Sequence, residues 1–292
     1  MCLLYVYVCD SAADGEYRLI LADNRDEYWD RPTNLAEFWG PRGEFISGVD
    51  MEPGREGGTW LGVSKAGRIG VLLNILDKLE MNMRGRGALV TDYLKGELDN
   101  DQYISQKIQP IHVEFNCFNL ILMDLRFNLS TCRSNSTPFT YYNNKTNTTK
   151  SLPNGVYSFD NSTVDEPWQK SVHGRATFTK AVHEHGRKRD KDQLVKSLLQ
   201  VLCDPTRFPD DSQLLKQALI CDVPEDIRLE RSAAFVWSPS IRYGTRTNTI
   251  VLVDKFGECE YIERTFKIPV DPENLGCQTK SYKFQMCSQN KL

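Results

Sequence analysis

The sequence predicts an α+β protein in which helices cover a sheet and the first and last strands are neighbours. Strand-like segments occur at both ends of the chain, and segments with helical spacing of apolar residues lie between them. With 292 residues, of which 40% are hydrophobic, the chain is long enough to bury a large core. A doubly wound nucleotide fold fits poorly, because Gly57-Gly58 lacks the glycine spacing that brings backbone amides onto a pyrophosphate.

The chain begins with two predicted β-hairpins. In the first, the strand-like residues 2–8 and 17–22 are separated by a segment that contains an Asp-Gly turn dipeptide. In the second, residues 59–63 and 68–73 flank a turn that contains a glycine. The two hairpins therefore provide four antiparallel strands.

The middle of the chain mixes helices and strands. Helices are predicted at residues 87–98 and 194–202 and from Pro167, and strands at residues 118–125 and 156–159. Residues 137–152 are rich in Asn, Thr and Tyr without a period, which predicts a surface loop.

The carboxyl-terminal part returns to strand character at residues 233–237, 247–254 and 259–263, and the last two segments form a predicted hairpin. We expect a single domain over residues 1–292, with a loosely defined end at 270–292.

The composition disfavours several classes of protein. A formal charge of -3 gives no positive field for nucleic acid, and no apolar run reaches the roughly 18–20 residues that span a bilayer. The nine cysteines form no C-x-x-C pair, which favours a reducing compartment and a cytoplasmic location.

The residues best suited to chemistry lie where Cys2 meets the run Asn24-Arg25-Asp26-Glu27. A hairpin that turns near residue 13 places residue 2 opposite residue 24. Removal of Met1 would leave Cys2 with a thiol and an α-amine that can accept the thiol proton.

Neighbouring residues could complete an acyl-transfer site. Arg25 would favour a thiolate, Asp26 could hold the ammonium form of the amine, and the amide of Asn74 could stabilise an oxyanion. The alternative, which spacing alone favours, is that Cys2 is a buried unreactive cysteine and the polar residues end strands and turns.

Neither a metal nor a haem site is marked in the sequence. His183-Glu184-His185 has no second ligand pair at a suitable spacing, so it is interpreted as a solvated helix end and no metal is assigned. The chain also lacks C-x-x-C-H and Cys-Pro, so haem ligation is unmarked and no cofactor is required.

Four blocks in the chain form a family-like pattern. They are Met1-Cys2, Asn24-Arg25-Asp26-Glu27, Glu56-Gly57-Gly58-Thr59-Trp60-Leu61-Gly62 and Tyr243-Gly244-Thr245-Arg246-Thr247-Asn248-Thr249. They resemble the signatures of the NRDE-motif, transport-and-Golgi-organisation-2 family over nearly the whole chain.

This resemblance implies a fold like that of the N-terminal-nucleophile hydrolases, a four-layer αββα sandwich of two antiparallel sheets covered by helices. It implies catalytic candidates at Cys2, Arg25, Asp26, Asn74, Asn161 and Arg246. The ligand-binding candidates are Asn24, Glu27 and Trp60. The chain has Asn-Arg-Asp where the choloylglycine hydrolase branch commonly has Arg-Asn-x-Asp.

The resemblance leaves two functions open. One is a carrier or chaperone for haem or another amphipathic ligand, associated with Golgi organisation, secretion, and mitochondrial and lipid homeostasis. The other is an N-terminal-Cys amidohydrolase or thioesterase that acts on a fatty-acyl substrate such as an acyl-CoA. An inherited nucleophile position can persist as a ligand-contact residue, so the sequence leaves open whether the protein is an enzyme.

Overall fold

The computed structural model describes residues 2–126, 139–274 and 276–286. Over these residues the strands are β1 (Leu3–Val8), β2 (Tyr17–Tyr28), β3 (Thr33–Trp39), β4 (Phe45–Asp50), β5 (Leu61–Ser64), β6 (Arg68–Asn74), β7 (Phe118–Asp124), β8 (Phe139–Asn143), β9 (Thr148–Ser151), β10 (Gly155–Phe159), β11 (Trp237–Ser238), β12 (Tyr243–Asp254), β13 (Glu258–Phe266) and β14 (Cys277–Gln285). The α-helices are α1 (Gly87–Lys95), α2 (Asn100–Tyr103), α3 (Gln169–His185), α4 (Lys191–Leu202), α5 (Ser212–Ile220) and α6 (Glu225–Arg231).

The described residues form two compact units that interleave along the chain. The first consists of those within 1–30, 75–78 and 154–283, and the second of those within 31–74, 79–153 and 284–292. Each unit contains one antiparallel sheet and its own helices. The predicted α+β class with two antiparallel sheets and covering helices is therefore confirmed.

The sheet of the first unit has the strand order β10-β1-β2-β12-β13-β14, and β11 pairs with β12 outside this path. Helices α3 and α4 bury one face of it. Their apolar residues Phe178, Leu194 and Leu198 pack against Tyr5 and Ile20 of the first two strands. Burial of these large side chains supplies the main core of this unit.

The prediction that the first and last strands are neighbours is wrong. The strand β1 lies between β10 and β2, and the early hairpin meets the late one through the pairing of β2 with β12. The long strand β2 continues to Tyr28, so the polar run of residues 24–27 is part of the sheet. Its twelve residues allow β2 to carry both the core and the candidate site.

The sheet of the second unit follows the chain from β3 to β9 without a crossover. Leu89, Val90 and Tyr93 of α1 pack on the strands β5 to β7 together with Leu72 and Leu120. The expected loop at residues 137–152 is wrong where the structure describes it, because Phe139–Asn143 and Thr148–Ser151 form the strands β8 and β9. Residues 137 and 138 lie outside the described residues.

Among the described residues, no helix has the length and apolar character that a membrane crossing needs.

Gly174 of α3 permits the close approach of this helix to β1. A Cβ atom on Gly174 would lie 1.8 Å from the hydroxyl oxygen of Tyr5, whose ring is fully buried. The tyrosine also stacks on Phe178 with a centroid distance of 5.5 Å, so it cannot move aside without repacking.

We therefore expect Gly174→Ala to lower the free energy of unfolding by about 1–3 kcal/mol, because overpacking outweighs the better helix propensity of alanine. Chemical denaturation measures this change. Adding Tyr5→Phe should recover part of the loss, because the hydroxyl is the nearest clashing atom. A Gly174→Ala protein more stable than the wild type would contradict the described packing.

Candidate active site

The candidate site lies at the amino end of β1 in the first unit. Leu3 is paired with Asn24, so Cys2, one residue earlier, is next to the position of Arg25. The expected pairing of residue 2 with residue 24 is therefore wrong by one residue. The polar run nevertheless returns to the amino end of the chain, as the hairpin predicts.

The thiol of Cys2 is held in its protonated form. Its pKa is raised to about 11, chiefly because the sulfur is buried and also because the carboxyl groups of Asp23 and Asp26 are nearby. The positive charge of the amino terminus lowers this pKa, as does a hydrogen bond donated by the backbone N–H of Asp26 to the sulfur. At neutral pH the site therefore presents a thiol, which is a much weaker nucleophile than a thiolate.

Asp26 is fixed by its neighbour on β12. Its Oδ1 accepts a hydrogen bond of 2.7 Å from the hydroxyl of Thr245, and that hydroxyl accepts one of 2.9 Å from the backbone N–H of Val236. Burial raises the pKa of the Asp26 carboxyl, while the positive amino terminus, Lys170, Thr245 and Arg231 lower it. The carboxyl is thus placed by the sheet and compensated by cations from helices.

Lys170, in the first turn of α3, is the principal site residue that sequence reasoning missed. It is 1% exposed, and its Nζ donates to the carbonyl oxygens of Arg231 at 3.0 Å and Ala233 at 2.9 Å. Burial lowers the pKa of this ammonium, and the carboxyl groups of Asp26 and Asp160 raise it. Only the fold brings these groups together, since they are far apart in the sequence.

Asp160 follows β10 and is a further buried carboxyl near Lys170. It accepts hydrogen bonds from the backbone N–H of Ser162 at 2.7 Å and of Trp168 at 2.9 Å. Burial raises its pKa to about 6, although these hydrogen bonds and Lys170 lower it. Its charge therefore changes just below neutral pH, whereas an ordinary aspartate remains ionised there.

Asp23, on β2, is also close to Cys2 and was not singled out in the sequence. It is 1% exposed and lies opposite Leu4 and Thr249 in the neighbouring strands. Burial raises the pKa of its carboxyl well above the ordinary value, and Asp26 raises it further, whereas Arg25 lowers it. An aspartate within a strand pattern normally predicts a solvent-exposed side chain, so the sequence contains no signal that Asp23 is buried at the site.

The other catalytic candidates of the first unit are also buried. Arg25 lies with its Nη2 4.0 Å from Glu27, and Arg246 donates from Nη1 to the carbonyl oxygen of Tyr28 at 3.2 Å. Asn161 follows Asp160, and its carbonyl oxygen accepts hydrogen bonds from the backbone of Leu76 and the side chain of Gln217. These three candidates therefore belong to the same unit as Cys2.

Asn24 has a structural role in this fold. Its Nδ2 donates to the carbonyl oxygens of Leu202 and Ala234, and its Oδ1 accepts a 2.6 Å hydrogen bond from Asn248. These bonds use its amide on the helix-covered face of the sheet. Because side chains alternate along a strand, Arg25 points to the other face.

Asn74 and Trp60 belong to the second unit. Asn74 ends β6 with an exposed side chain, while the Trp60 ring covers Gly48, where an added Cβ would lie 2.5 Å from the ring. The roles predicted for both residues stay predictions.

The cluster formed by Cys2, Asp23, Asp26, Asp160 and Lys170 can support two kinds of chemistry. A protonated thiol beside charged groups suits contact with a bound ligand. If Cys2 instead carried a free α-amine, that amine could accept the thiol proton and so activate the sulfur for attack on an acyl carbon. Asp26 would then hold the ammonium group. Among the described residues, no three His, Cys, Asp or Glu side chains are arranged to hold a metal ion.

Comparison with known sequences gives a consistent result. Residues 1–268 match the family described as Transport and Golgi organisation 2. The Transport and Golgi organization protein 2 homolog of Homo sapiens is 37% identical over 291 residues, which cover 99% of this chain and all of the human protein. Transport and Golgi organization protein 2 of Drosophila melanogaster is 30% identical over 273 residues, which cover 91% of this chain and 92% of the fly protein.

Comparison with solved structures gives weaker similarities. The Caenorhabditis elegans ortholog of N-acylethanolamine-hydrolyzing acid amidase overlaps with a TM-score of 0.40 and 12% identity, covering 86% of this chain and 92% of its own. A mutant of the conjugated bile acid hydrolase from Clostridium perfringens overlaps with a TM-score of 0.33 and 10% identity, covering 98% of each chain.

Proposed function

The chain belongs to the Transport and Golgi organisation 2 family, and from that premise we propose that it is a cytoplasmic carrier or chaperone for an amphipathic ligand, haem or an acyl-CoA. Its role is Golgi-related, with a further association with mitochondria and lipid homeostasis. In this proposal Cys2 contacts the ligand or packs beside it and forms no covalent intermediate.

The protonated state of Cys2 is the observation that supports a carrier best. The thiol has a pKa of about 11 and lies beside the carboxyl groups of Asp23 and Asp26, which disfavour a second negative charge. Enzymes that use a cysteine nucleophile keep the pKa of the thiol below its ordinary value. The arrangement is therefore better suited to binding than to attack.

A hydrolase is the second candidate, and one specific observation favours it. The backbone N–H of Asp26 points at the Cys2 sulfur, and Asp26 is itself held by Thr245 and compensated by Lys170. If Met1 is removed, the new α-amine of Cys2 would lie beside this carboxyl and could accept the thiol proton. An amide or thioester would be the substrate in that case.

The carrier proposal predicts saturable binding without turnover. Purified protein is titrated with haem by absorbance and with a long-chain acyl-CoA by calorimetry, and we expect a stoichiometric complex at micromolar or tighter affinity with at least one of them. Release of free coenzyme A is followed in the same samples with a thiol reagent. Cys9→Ala is the matched control, because Cys9 is also a partly buried free cysteine of the first unit.

Two outcomes would contradict the proposal. Folded protein that binds neither ligand would argue for a scaffold or secretion factor. Coenzyme A release that Cys9→Ala retains and Cys2→Ala abolishes would establish the hydrolase.

A further inference from the structure

An open pocket lies between α4 and β13 in the first unit. Its volume is about 440 Å³, within the roughly 300–1,000 Å³ range of small-molecule sites. Val195 and Leu199 of α4 form an apolar wall, and Cys203 and Arg264 lie at its polar end. None of these four residues belongs to the cluster around Cys2, so the pocket is a separate feature.

Arg264 carries the charge of this pocket. Its Nη2 donates to the sulfur of Cys203 at 2.8 Å, and its Nε and Nη2 donate to Oδ1 of Asn248 at 3.0 and 2.6 Å. The guanidinium lies 5.1 Å from the ring centroid of Phe266. Across residues 2–126, 139–274 and 276–286, no carboxylate lies within ion-pair distance of this guanidinium, and its Nη1 makes no hydrogen bond to protein.

Asn24 and Asn248 orient this arginine. The amide of Asn24 is fixed because it donates to the carbonyl oxygens of Leu202 and Ala234. Its Oδ1 accepts from Nδ2 of Asn248, which turns Oδ1 of Asn248 towards Arg264. The three side chains lie side by side because Asn24, Asn248 and Arg264 are paired across β2, β12 and β13. Asn24 is thus a positioning residue.

We propose that this pocket binds the carboxylate of a small amphipathic acid. The carboxylate accepts a charge-assisted hydrogen bond from Nη1 of Arg264, the nitrogen that is left after the bonds to Asn248 and Cys203. The apolar part of the ligand covers Val195 and Leu199. The rim offers little competing negative charge, since the carboxylate of Asp192 is fully exposed and lies 3.9 Å from Lys191 Nζ.

The reactivity of the Cys203 thiol shows whether the pocket is occupied, because a ligand bound to Arg264 shields the adjacent sulfur from alkylation. The probes are dodecanoate and dodecan-1-ol, which differ in charge but share the same chain. The rate of Cys203 alkylation by iodoacetamide is read by peptide mass spectrometry. We expect half-maximal protection at a dodecanoate concentration roughly tenfold or more below that of dodecan-1-ol, because a charge-assisted hydrogen bond separates the two probes.

Variants test whether the charge of Arg264 causes the preference for dodecanoate. Arg264→Gln should remove the preference for dodecanoate, whereas Arg187→Gln, at an exposed arginine of the same unit, should retain it. If Arg264→Gln does not fold, as judged by its melting curve, Arg264→Lys replaces it and should weaken the preference without removing it. Asn24→Ala, in which Arg264 is no longer oriented, should also weaken the preference.

Three results would overturn the proposal. They are equal protection of Cys203 by both probes in the wild type, an unchanged preference in folded Arg264→Gln, and protection that falls on Cys2 and not on Cys203 in the same digests. None of them would contradict the carrier proposal, and protection at Cys2 would agree with it.

Discussion

Replacing Lys170 with methionine is expected to lower the free energy of unfolding by about 3–5 kcal/mol, because it removes a buried ammonium from beside two buried carboxyl groups and leaves two carbonyl oxygens without their donor. The Lys170 ammonium compensates Asp26 and Asp160, and its Nζ also satisfies two carbonyl oxygens. Methionine has a similar length but provides neither the charge nor the donors. Equilibrium unfolding in urea measures the effect.

Two further variants make this test specific. Lys180→Met changes an exposed lysine of the same helix, whose side chain is 72% exposed, and should alter stability by less than about 0.5 kcal/mol. Adding Asp26→Asn to Lys170→Met should recover part of the loss, because it removes one of the buried carboxylates that Lys170 compensates. Equal stability of Lys170→Met and Lys180→Met would show that the described cluster is not energetically coupled.

The local parts of the fold follow from the sequence. Strand-like runs with a glycine-containing turn between them predict the hairpins β1–β2, β5–β6 and β12–β13, and the structure contains all three. The helix expected at residues 87–98 is present as Gly87–Lys95, and the one expected at 194–202 lies within Lys191–Leu202. These elements are determined by residues close together in the sequence, so a local sequence pattern can predict them.

The pairing of strands that are far apart in the sequence cannot be predicted from local patterns. The position of β2 between β1 and β12 depends on which strands meet after the chain has passed through the second unit. The strands β8 and β9 were missed because the asparagines at and between their ends favour a turn or loop, while the burial of Phe139 and Tyr141 depends on the pairing of β8 with β7. The loosely defined end at 270–292 includes β14 for a similar reason.

The candidate site was predicted in part. The return of residues 24–27 to Cys2 needs only a hairpin, but a register difference of one residue decides which side chains share a face. This difference puts Asn24 under helix α4, where it supports Arg264, and not beside the thiol. The positions of Lys170 and Asp160 in the site could not be predicted, because lysine and aspartate side chains are normally exposed to solvent.

Replacing Cys2 with alanine separates the two functions, because catalysis and binding need different properties of this residue. If the protein is a carrier, Cys2→Ala should change ligand affinity by less than about twofold and leave rescue of a null strain near normal, since a neutral, partly buried thiol contributes mainly packing. Asp26→Ala should still impair rescue, because it removes one of the two buried carboxyl groups that compensate the Lys170 ammonium.

If the protein is instead a hydrolase, the same substitution should abolish turnover by several orders of magnitude while ligand binding survives, and Cys2→Ser should retain little activity because an alcohol ionises far less than a thiol. Intact mass of the native protein gives the control, since retained Met1 would remove the free α-amine that this mechanism needs. Expression and melting temperature must match between variants. Complete loss of rescue in Cys2→Ala, with an unchanged melting temperature and Met1 absent, would reject the carrier in favour of a nucleophilic cysteine.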